Sequence, residues 1–205
     1  MRRSTITWTL SVALTIPFFY FLWLTFTAGL GAQPAERLNR SLGDVTLNLL
    51  VTNLYLGVLM AFVKPLPGPL RWIPAARRPL GVGAFAYLVL HVSFHFVKEG
   101  GLAQGFSEIL KRTYLVAGAS AWLILFAMAL TSNDWAVRRL GYRRWKALHR
   151  GVHAAFVLVA LHRTLIEKAD FIAAALYFVP LGAIQAVRLA RQMRARRAPT
   201  LPLPG

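Results

Sequence analysis

Five histidines are the residues of this sequence best suited to chemistry, and all of them fall in two apolar stretches. His91 and His95 lie in one stretch, and His149, His153 and His162 lie in the other. Imidazole nitrogen binds transition metals, including the iron of heme. The sequence contains no cysteine, which excludes disulfides, iron–sulfur clusters and thiol catalysis. The pattern therefore indicates a metal or heme site held by imidazoles.

The spacing of these histidines corresponds to two depths in a membrane. His149 and His162 are thirteen residues apart, which is ~20 Å along a helix at ~1.5 Å per residue and most of a hydrocarbon core of ~30 Å. Counted from Pro79, His91 lies ~18 Å along its own helix. His91 and His162 thus reach similar depths, where a flat heme between two helices would take one imidazole on each face.

Spacing alone leaves the ligands open at both depths. His95 and His153 are each one turn from another histidine and are alternative or additional ligands. The position that would face His149 is Arg78, so a heme there would need a non-histidine ligand, or the site binds something else. A simpler alternative is that the histidines only form interhelical hydrogen bonds, but ionisable groups inside membranes are usually functional.

The elements that carry these residues are predicted to be membrane helices. The chain is 57% hydrophobic, with a mean hydropathy of +0.51, which is typical of an integral membrane protein. We predict an all-α bundle of six transmembrane helices forming one domain over residues 1–197, followed by a disordered tail over 198–205. The first stretch is interpreted as a retained helix, because its apolar run exceeds the ~7–15 residues of a signal peptide. The predicted spans are Trp8–Ala28, Val45–Val63, Pro79–Val97, Thr113–Thr131, His149–Arg163 and Phe171–Val187.

Prolines and polar side chains refine this prediction. Pro17 and Pro180 are expected to kink the first and sixth helices, whereas Pro74 is expected in a stiff loop before Pro79 begins the third. Asn48 and Asn53 are expected to hydrogen-bond between helices. Tryptophans near the predicted interfaces are expected to form an anchoring belt without chemistry; they are Trp8, Trp23, Trp72, Trp135 and Trp145.

Charge alternates from loop to loop and predicts the orientation. The two termini with the second and fourth loops carry 17 of the 24 basic residues and one of the seven acidic residues. The positive-inside rule therefore places both termini in the cytoplasm. No nucleic-acid recognition motif accompanies the charge, which is explained by orientation and lipid contact. Arg77 and Arg78 are candidate contacts for a heme propionate or a flavin phosphate.

Several short motifs, in order along nearly the whole chain, resemble one family. They are Leu30-Gly-Ala-Gln-Pro34, Arg77-Arg-Pro-Leu-Gly81, Leu90-His91, Leu130-Thr-Ser132, Arg138-Arg-Leu-Gly141 and Arg144-Trp-Lys-Ala-Leu-His149. Together they resemble the ferric reductase-like transmembrane family, in particular the MsrQ (YedZ) heme-binding membrane subunits of periplasmic protein-methionine-sulfoxide reductase systems.

The resemblance implies an electron-transfer subunit rather than a catalytic one. It implies one or two b-type hemes in a bacterial inner membrane, FMN as a second cofactor, and heme ligation by His91, His149 and His162. It further implies electrons from the quinone pool or a cytosolic flavin reductase, and a periplasmic molybdopterin-containing methionine-sulfoxide reductase as acceptor. His95 and His153 depart from the family pattern. One alternative is a ferric reductase-like protein with another acceptor, and a second is a histidine-lined metal or proton transporter. The predicted spans contain no Asp or Glu to complete a metal site, which weakens the transporter alternative.

Overall fold

A computed structural model describes residues 3–27, 29–166 and 171–197 of the chain. Within these ranges the regular structure is α-helical apart from a single 3₁₀ turn at Gly68–Leu70, which confirms the all-α prediction. The helices are α1 Arg3–Ala13, α2 Ile16–Phe26, α3 Pro34–Phe62, α4 Ile73–Lys98, α5 Leu102–Lys111, α6 Thr113–Leu130, α7 Asp134–Leu140, α8 Tyr142–His149, α9 Val152–Thr164 and α10 Phe171–Arg197. The predicted tail 198–205 lies outside the described residues.

Four helical segments of the described chain are long and apolar enough to cross a membrane. They are Ser4–Phe26, Pro34–Phe62, Gly68–Lys98 and Thr113–Leu130. Large apolar side chains on them face outward, as a lipid-facing surface requires; Phe26, for example, is 82% exposed. The chain is therefore built as a multi-pass membrane protein, and the fifth and sixth predicted spans stay predictions.

The first stretch is interrupted where proline was expected to disturb it. α1 ends at Ala13 and α2 begins at Ile16, with Pro17 in the first turn of α2. Because proline has no N–H, it disrupts a continuing helix but is tolerated at the start of one. The predicted kink at Pro17 is confirmed.

The second and third helices begin earlier than predicted. α3 starts at Pro34 instead of Val45, and α4 starts at Ile73 instead of Pro79. Pro74, predicted to lie in the loop, occupies the first turn of α4, and Pro79 lies buried inside that helix. The first turns of α3 are stabilised mainly by packing, because Leu38 and Leu42 are buried in one cluster with Tyr87 of α4. Glu36 adds an ion pair with Arg40 one turn later at 3.1 Å.

The fifth stretch is not the single helix that was predicted. α8 ends at His149 and α9 begins at Val152. Between them the backbone tightens into three-residue turns: the Gly151 N–H donates to Leu148 O at 2.9 Å and the His153 N–H to Arg150 O at 3.1 Å. The helical ladder is therefore broken at Arg150–Gly151, and His149 and His162 belong to different helices.

The sixth stretch forms α10, whose described residues begin at Phe171. It continues past Pro180 and past the predicted end at Val187 to Arg197. Its apolar part, Ala175–Arg188, is shorter than the four spans above. After Arg188, α10 continues as a basic helical extension to Arg197.

Helix pairing gives the bundle two distinct ends. α3 packs along α4 more extensively than any other pair in the described chain, and α6 packs along α9. At one end, here called the basic end, Arg78 of α4 donates to the Asp134 carboxylate of α7 at 2.7 Å. At the other, here called the opposite end, Lys98 of α4 lies 3.2 Å from the Glu36 carboxylate of α3. These ion pairs fix which helix termini share an end of the molecule.

The opposite end also carries an amphipathic helix that the sequence prediction did not include. α5 links α4 to α6 and exposes Leu102, Phe106 and Leu110, which recur every fourth residue. On its polar side Arg112 and then Lys111 hydrogen-bond Glu108 and hold the pKa of that carboxyl below its usual value. The apolar stripe is typical of a helix lying at a membrane surface.

Candidate functional site

His91 on α4 is held by a reciprocal pair of hydrogen bonds to α3. Its Nδ1 donates to the backbone oxygen of Asn39 at 2.8 Å, and the Asn39 side-chain amide donates to the backbone oxygen of His91 at 2.7 Å. A carbonyl oxygen can only accept, so Nδ1 of His91 carries the proton. Nε2 is then the atom with a free lone pair, as a metal ligand requires.

His162 near the end of α9 is held in the same way by α6. Its Nδ1 donates to the backbone oxygen of Tyr114 at 2.7 Å. The ring of Tyr114 also lies 5.8 Å from the His162 ring, between centroids. The proton is again fixed on Nδ1, so both histidines present Nε2 as the available ligand atom.

Two glycines leave room for the two imidazole rings. A Cβ atom on Gly43 of α3 would lie 3.0 Å from Nδ1 of His91, and one on Gly118 of α6 would lie 2.8 Å from Nδ1 of His162. A side chain at either position would press on the ring and displace it relative to its carbonyl partner. We call Gly43 and Gly118 the glycine cradle. Each leaves room for the imidazole opposite because it has no side chain.

The imidazole rings of His91 and His162 lie close together. Their centroids lie 6.4 Å apart with their planes at 83°. Two imidazoles bound through Nε2 to opposite sides of one iron atom have ring centroids ~6 Å apart, because a metal–nitrogen bond to histidine is ~2 Å. The protonated Nδ1 atoms, the glycine cradle and this separation all fit a heme iron.

His95, one turn beyond His91, is placed differently. Its side chain is buried, with 7% exposure, and faces α5. Nε2 of His95 donates to Gly105 O at 3.4 Å, and Nδ1 lies 3.9 Å from the Glu99 carboxylate. Nε2, the nitrogen a metal would need, is thus engaged by a backbone oxygen, whereas 3.9 Å is too long for a hydrogen bond at Nδ1. Spacing did not choose between His91 and His95, whereas the structure pairs His91 with His162.

His149 lies at the basic end, at the end of α8. Its Nε2 lies 3.1 Å from Oγ1 of Thr131, whose hydroxyl donates to Ala127 O at 2.8 Å. Unlike the carbonyl partners of His91 and His162, this hydroxyl can donate as well as accept, so the contact engages Nε2 without fixing the tautomer of His149. Thr131 follows α6 and is seventeen residues from Tyr114, which separates the two sites by ~25 Å at ~1.5 Å per residue.

Trp145 has a specific contact with this second site. Its ring stacks on the ring of His149 at 4.1 Å between centroids, and its indole N–H donates to Thr131 O at 2.9 Å. The sequence prediction treated Trp145 only as an interface anchor. The structure instead assigns it to fixing the ring plane of His149.

His153 is exposed on α9, and no hydrogen bond of its imidazole is found within the described residues. Those residues also contain no cluster of three or more His, Asp or Glu side chains able to hold a metal ion. Within the described chain, His91 and His162 therefore form a pair toward the opposite end, and His149 lies separately at the basic end.

An aromatic cluster lies on α6 between the two depths. The Trp122 ring stacks on Phe126 at 5.0 Å with planes 8° apart, and Phe85 of α4 lies 6.2 Å from Trp122. Among the described side chains, Nε1 of Trp122 is buried without a hydrogen-bond partner. A buried donor without a partner is costly, so it fits a site where a bound group supplies the acceptor.

The two arginines proposed as anion contacts differ in their surroundings. Arg78 is exposed and paired with Asp134. Arg77 is half-buried: its Nε donates to Oδ1 of Asn53 at 3.0 Å, and the Asn53 amide donates to Arg77 O at 2.9 Å. The ion pairs of the described residues do not include Arg77, which makes it the better candidate for an anionic group. The predicted interhelical role of Asn53 is confirmed.

Replacing Asn53 with alanine is expected to destabilise the protein by about 1–3 kcal/mol, because Arg77 would lose partners for both a donor and an acceptor in a half-buried position. Asn48→Ala is the matched control. Asn48 accepts from Tyr177 at 2.9 Å at an exposed position, where a change of about 0.5 kcal/mol or less is expected. Thermal unfolding in detergent measures both, and equal shifts in melting temperature would contradict the assignment.

Sequence reasoning missed most of the groups that hold the histidines. Asn39 and Tyr114 act through backbone oxygens, which any residue possesses, so no sequence signal identifies them. Gly43 and Gly118 had a weak signal, since glycine inside a helix is unfavourable and often has a packing reason.

Comparison with known proteins identifies the relatives of the chain. The family model described as "Ferric reductase like transmembrane component" matches residues 42–160. A protein of Rhodospirillum rubrum named protein-methionine-sulfoxide reductase heme-binding subunit MsrQ is 36% identical over 93% of this chain and 90% of its own length. Proteins of the same name from Agrobacterium fabrum and Enterobacter sp. are 33% and 35% identical, over 90% and 79% of this chain and 83% and 81% of their own lengths. No solved structure shows significant similarity.

Proposed function

Because this chain belongs to the ferric reductase-like transmembrane family, and within it to the MsrQ subunits, we propose that it is a heme-binding electron-transfer subunit of a protein-methionine-sulfoxide reductase system. The relatives named above are heme-binding subunits by name. A bound heme would supply reversible one-electron redox chemistry of its iron.

The observation that carries this proposal is the arrangement of His91 and His162. Two imidazoles from different helices lie 6.4 Å apart, each with Nδ1 bonded to a carbonyl oxygen. We propose these two residues as the axial ligands of a b-type heme. Hydrogen bonds from Nδ1 fix the tautomer and orientation of each ring and raise the basicity of Nε2.

The rest of the chain would keep this site dry and rigid. The His91 ring is held between Asn39 and Gly43 of α3, and the His162 ring between Tyr114 and Gly118 of α6. Lipid-facing apolar helices exclude water from this region, which lowers the local dielectric and tunes the redox potential of the site.

His149 is proposed as a ligand of a second site at the basic end, with Trp145 and Thr131 positioning it. In the present arrangement Nδ1 is its free nitrogen. Arg77 is proposed to contact a heme propionate or a flavin phosphate near this end, because it is half-buried and has no carboxylate partner among the described residues.

We propose an inner-membrane location with six spans and both termini in the cytoplasm, as the charge of the loops indicates. The basic end would then face the cytoplasm and the His91–His162 pair would lie near the periplasm. Electrons would enter from the quinone pool or a cytosolic flavin reductase and leave to a periplasmic molybdopterin-containing reductase.

The absorption spectrum of detergent-purified protein tests the proposal. Dithionite reduction is expected to give the sharp bands of a six-coordinate b-type heme, and the heme content per chain distinguishes one site from two. If both sites hold heme, His149→Ala is expected to lose one of two hemes while the other keeps its spectrum.

A colourless protein that takes up no added heme would overturn the proposal. If wild-type protein and His149→Ala both hold one heme per chain, heme ligation at the basic end is rejected. The assignment of His91 and His162 is unaffected by that result. The two assignments can therefore fail separately.

A further inference from the structure

An apolar groove opens between α3 and α10 near the basic end. It has a volume of about 650 Å³ and is lined chiefly by Leu56, Leu59 and Phe62 of α3 and by Ala183, Ile184 and Val187 of α10. α10 packs on α3 over only part of its length, through the cluster that contains Phe178 and Leu181. Beyond Leu181 the two helices leave a space that their own side chains do not fill.

Positive charge stands at the mouth of this groove. The guanidinium of Arg191 lies over the Phe62 ring, 5.2 Å from its centroid. Arg188 directly follows the lining residue Val187, and its charge also acts on Arg77 and His153 at the basic end. None of the ion pairs formed by the described residues includes Arg188 or Arg191. The groove therefore combines an apolar floor with cations that have no carboxylate partner among the described side chains.

We propose that this groove binds an anionic phospholipid, with one acyl chain along α3 and α10 and the phosphate at Arg188 and Arg191. Basic pockets between membrane helices are a recognised form of lipid site. An apolar molecule without charge would fill the groove equally well but would leave the arginines unpaired, so the charge favours an anionic headgroup. The groove does not contain the His91–His162 pair, which lies toward the opposite end.

Native mass spectrometry of the full-length protein tests the proposal with two lipids that have the same acyl chains, phosphatidylglycerol and phosphatidylcholine. Wild-type protein is expected to retain phosphatidylglycerol about tenfold more strongly, since each arginine near the headgroup adds to the attraction. The double variant Arg188→Gln/Arg191→Gln is expected to lose that preference. Arg143→Gln/Arg144→Gln removes the same charge from exposed positions on α8 and is expected to keep it.

A second variant tests the groove and leaves its charges in place. Ala183→Trp fills the space with an indole and is expected to abolish retention of phosphatidylglycerol, whereas Ala175→Trp, exposed on α10 outside the groove, is expected to retain it. Melting temperatures of both variants show whether each is folded. Equal retention of the two lipids by wild type, or retention unchanged in Ala183→Trp, would overturn the proposal. The proposal would also be overturned if an isoprenoid quinone co-purifies with the protein and, among the variants, only Ala183→Trp displaces it.

Discussion

Replacing His162 with alanine is expected to remove most of the heme from the protein without preventing its insertion or folding. The variant loses the Nε2 ligand and the hydrogen bond to Tyr114 O. Loss of an outer-shell partner alone typically costs 10–100-fold in metal affinity, so loss of the ligand itself is expected to cost about a hundredfold or more. The measurement is heme per chain after purification, with the reduced spectrum recorded beside it.

His153→Ala is the matched control, because it removes an imidazole from the same helix at an exposed position. It is expected to retain wild-type heme content. His91→Ala is expected to behave as His162→Ala does, since the two rings form one pair. If His162→Ala and His153→Ala hold equal amounts of heme, the proposed axial pair is wrong.

Gly118→Ala is expected to weaken heme binding about 10–100-fold, the range seen when the support of a ligating histidine is disturbed. The added Cβ would lie 2.8 Å from Nδ1 and 3.1 Å from Cε1 of His162. A contact this short requires the ring to shift, which disturbs its hydrogen bond to Tyr114 O and its orientation. Titration of heme into the apoprotein measures the change in affinity.

Gly182→Ala supplies the comparison for this substitution. Gly182 also lies inside a helix, but no atom lies within 4 Å of the position its Cβ would take. Its replacement is expected to leave heme affinity unchanged and to stabilise the helix by roughly 0.5–1 kcal/mol. Equal heme affinity in the two variants would show that Gly118 is not part of the cradle. A Gly43→Ala variant is expected to disturb His91 in the same way.

The sequence predicted the depth of the histidines better than their partners. The rise per residue of a helix is fixed, so His91 and His162 could be matched in depth from their positions alone. The choice of His91 over His95 could not be made in this way. It depends on Asn39, Gly43, Tyr114 and Gly118, which belong to other helices and are distant in the sequence.

Errors in the predicted helices have a common cause. Polar residues were taken to end a span, yet α3 includes the paired Glu36 and Arg40, because Leu38 and Leu42 of the same segment are buried with Tyr87 of α4. Conversely, the apolar run around Gly151 was taken as one helix, although tight turns interrupt it. Hydropathy reports which residues tolerate lipid, and it does not report where the backbone hydrogen bonds change.

The distance between Tyr114 and Thr131 has an electrical consequence. An electron that passes from the His149 region to the His91–His162 pair moves ~25 Å, most of the hydrocarbon thickness of ~30 Å. In the proposed orientation the basic end faces a cytoplasm that is electrically negative, and the membrane voltage would drive this movement outward. A full crossing is worth ~2.3 kcal/mol per 100 mV, so an energised membrane would hold electrons at the pair nearest the periplasm. The transmembrane voltage would thus act as a thermodynamic bias on the direction of electron delivery.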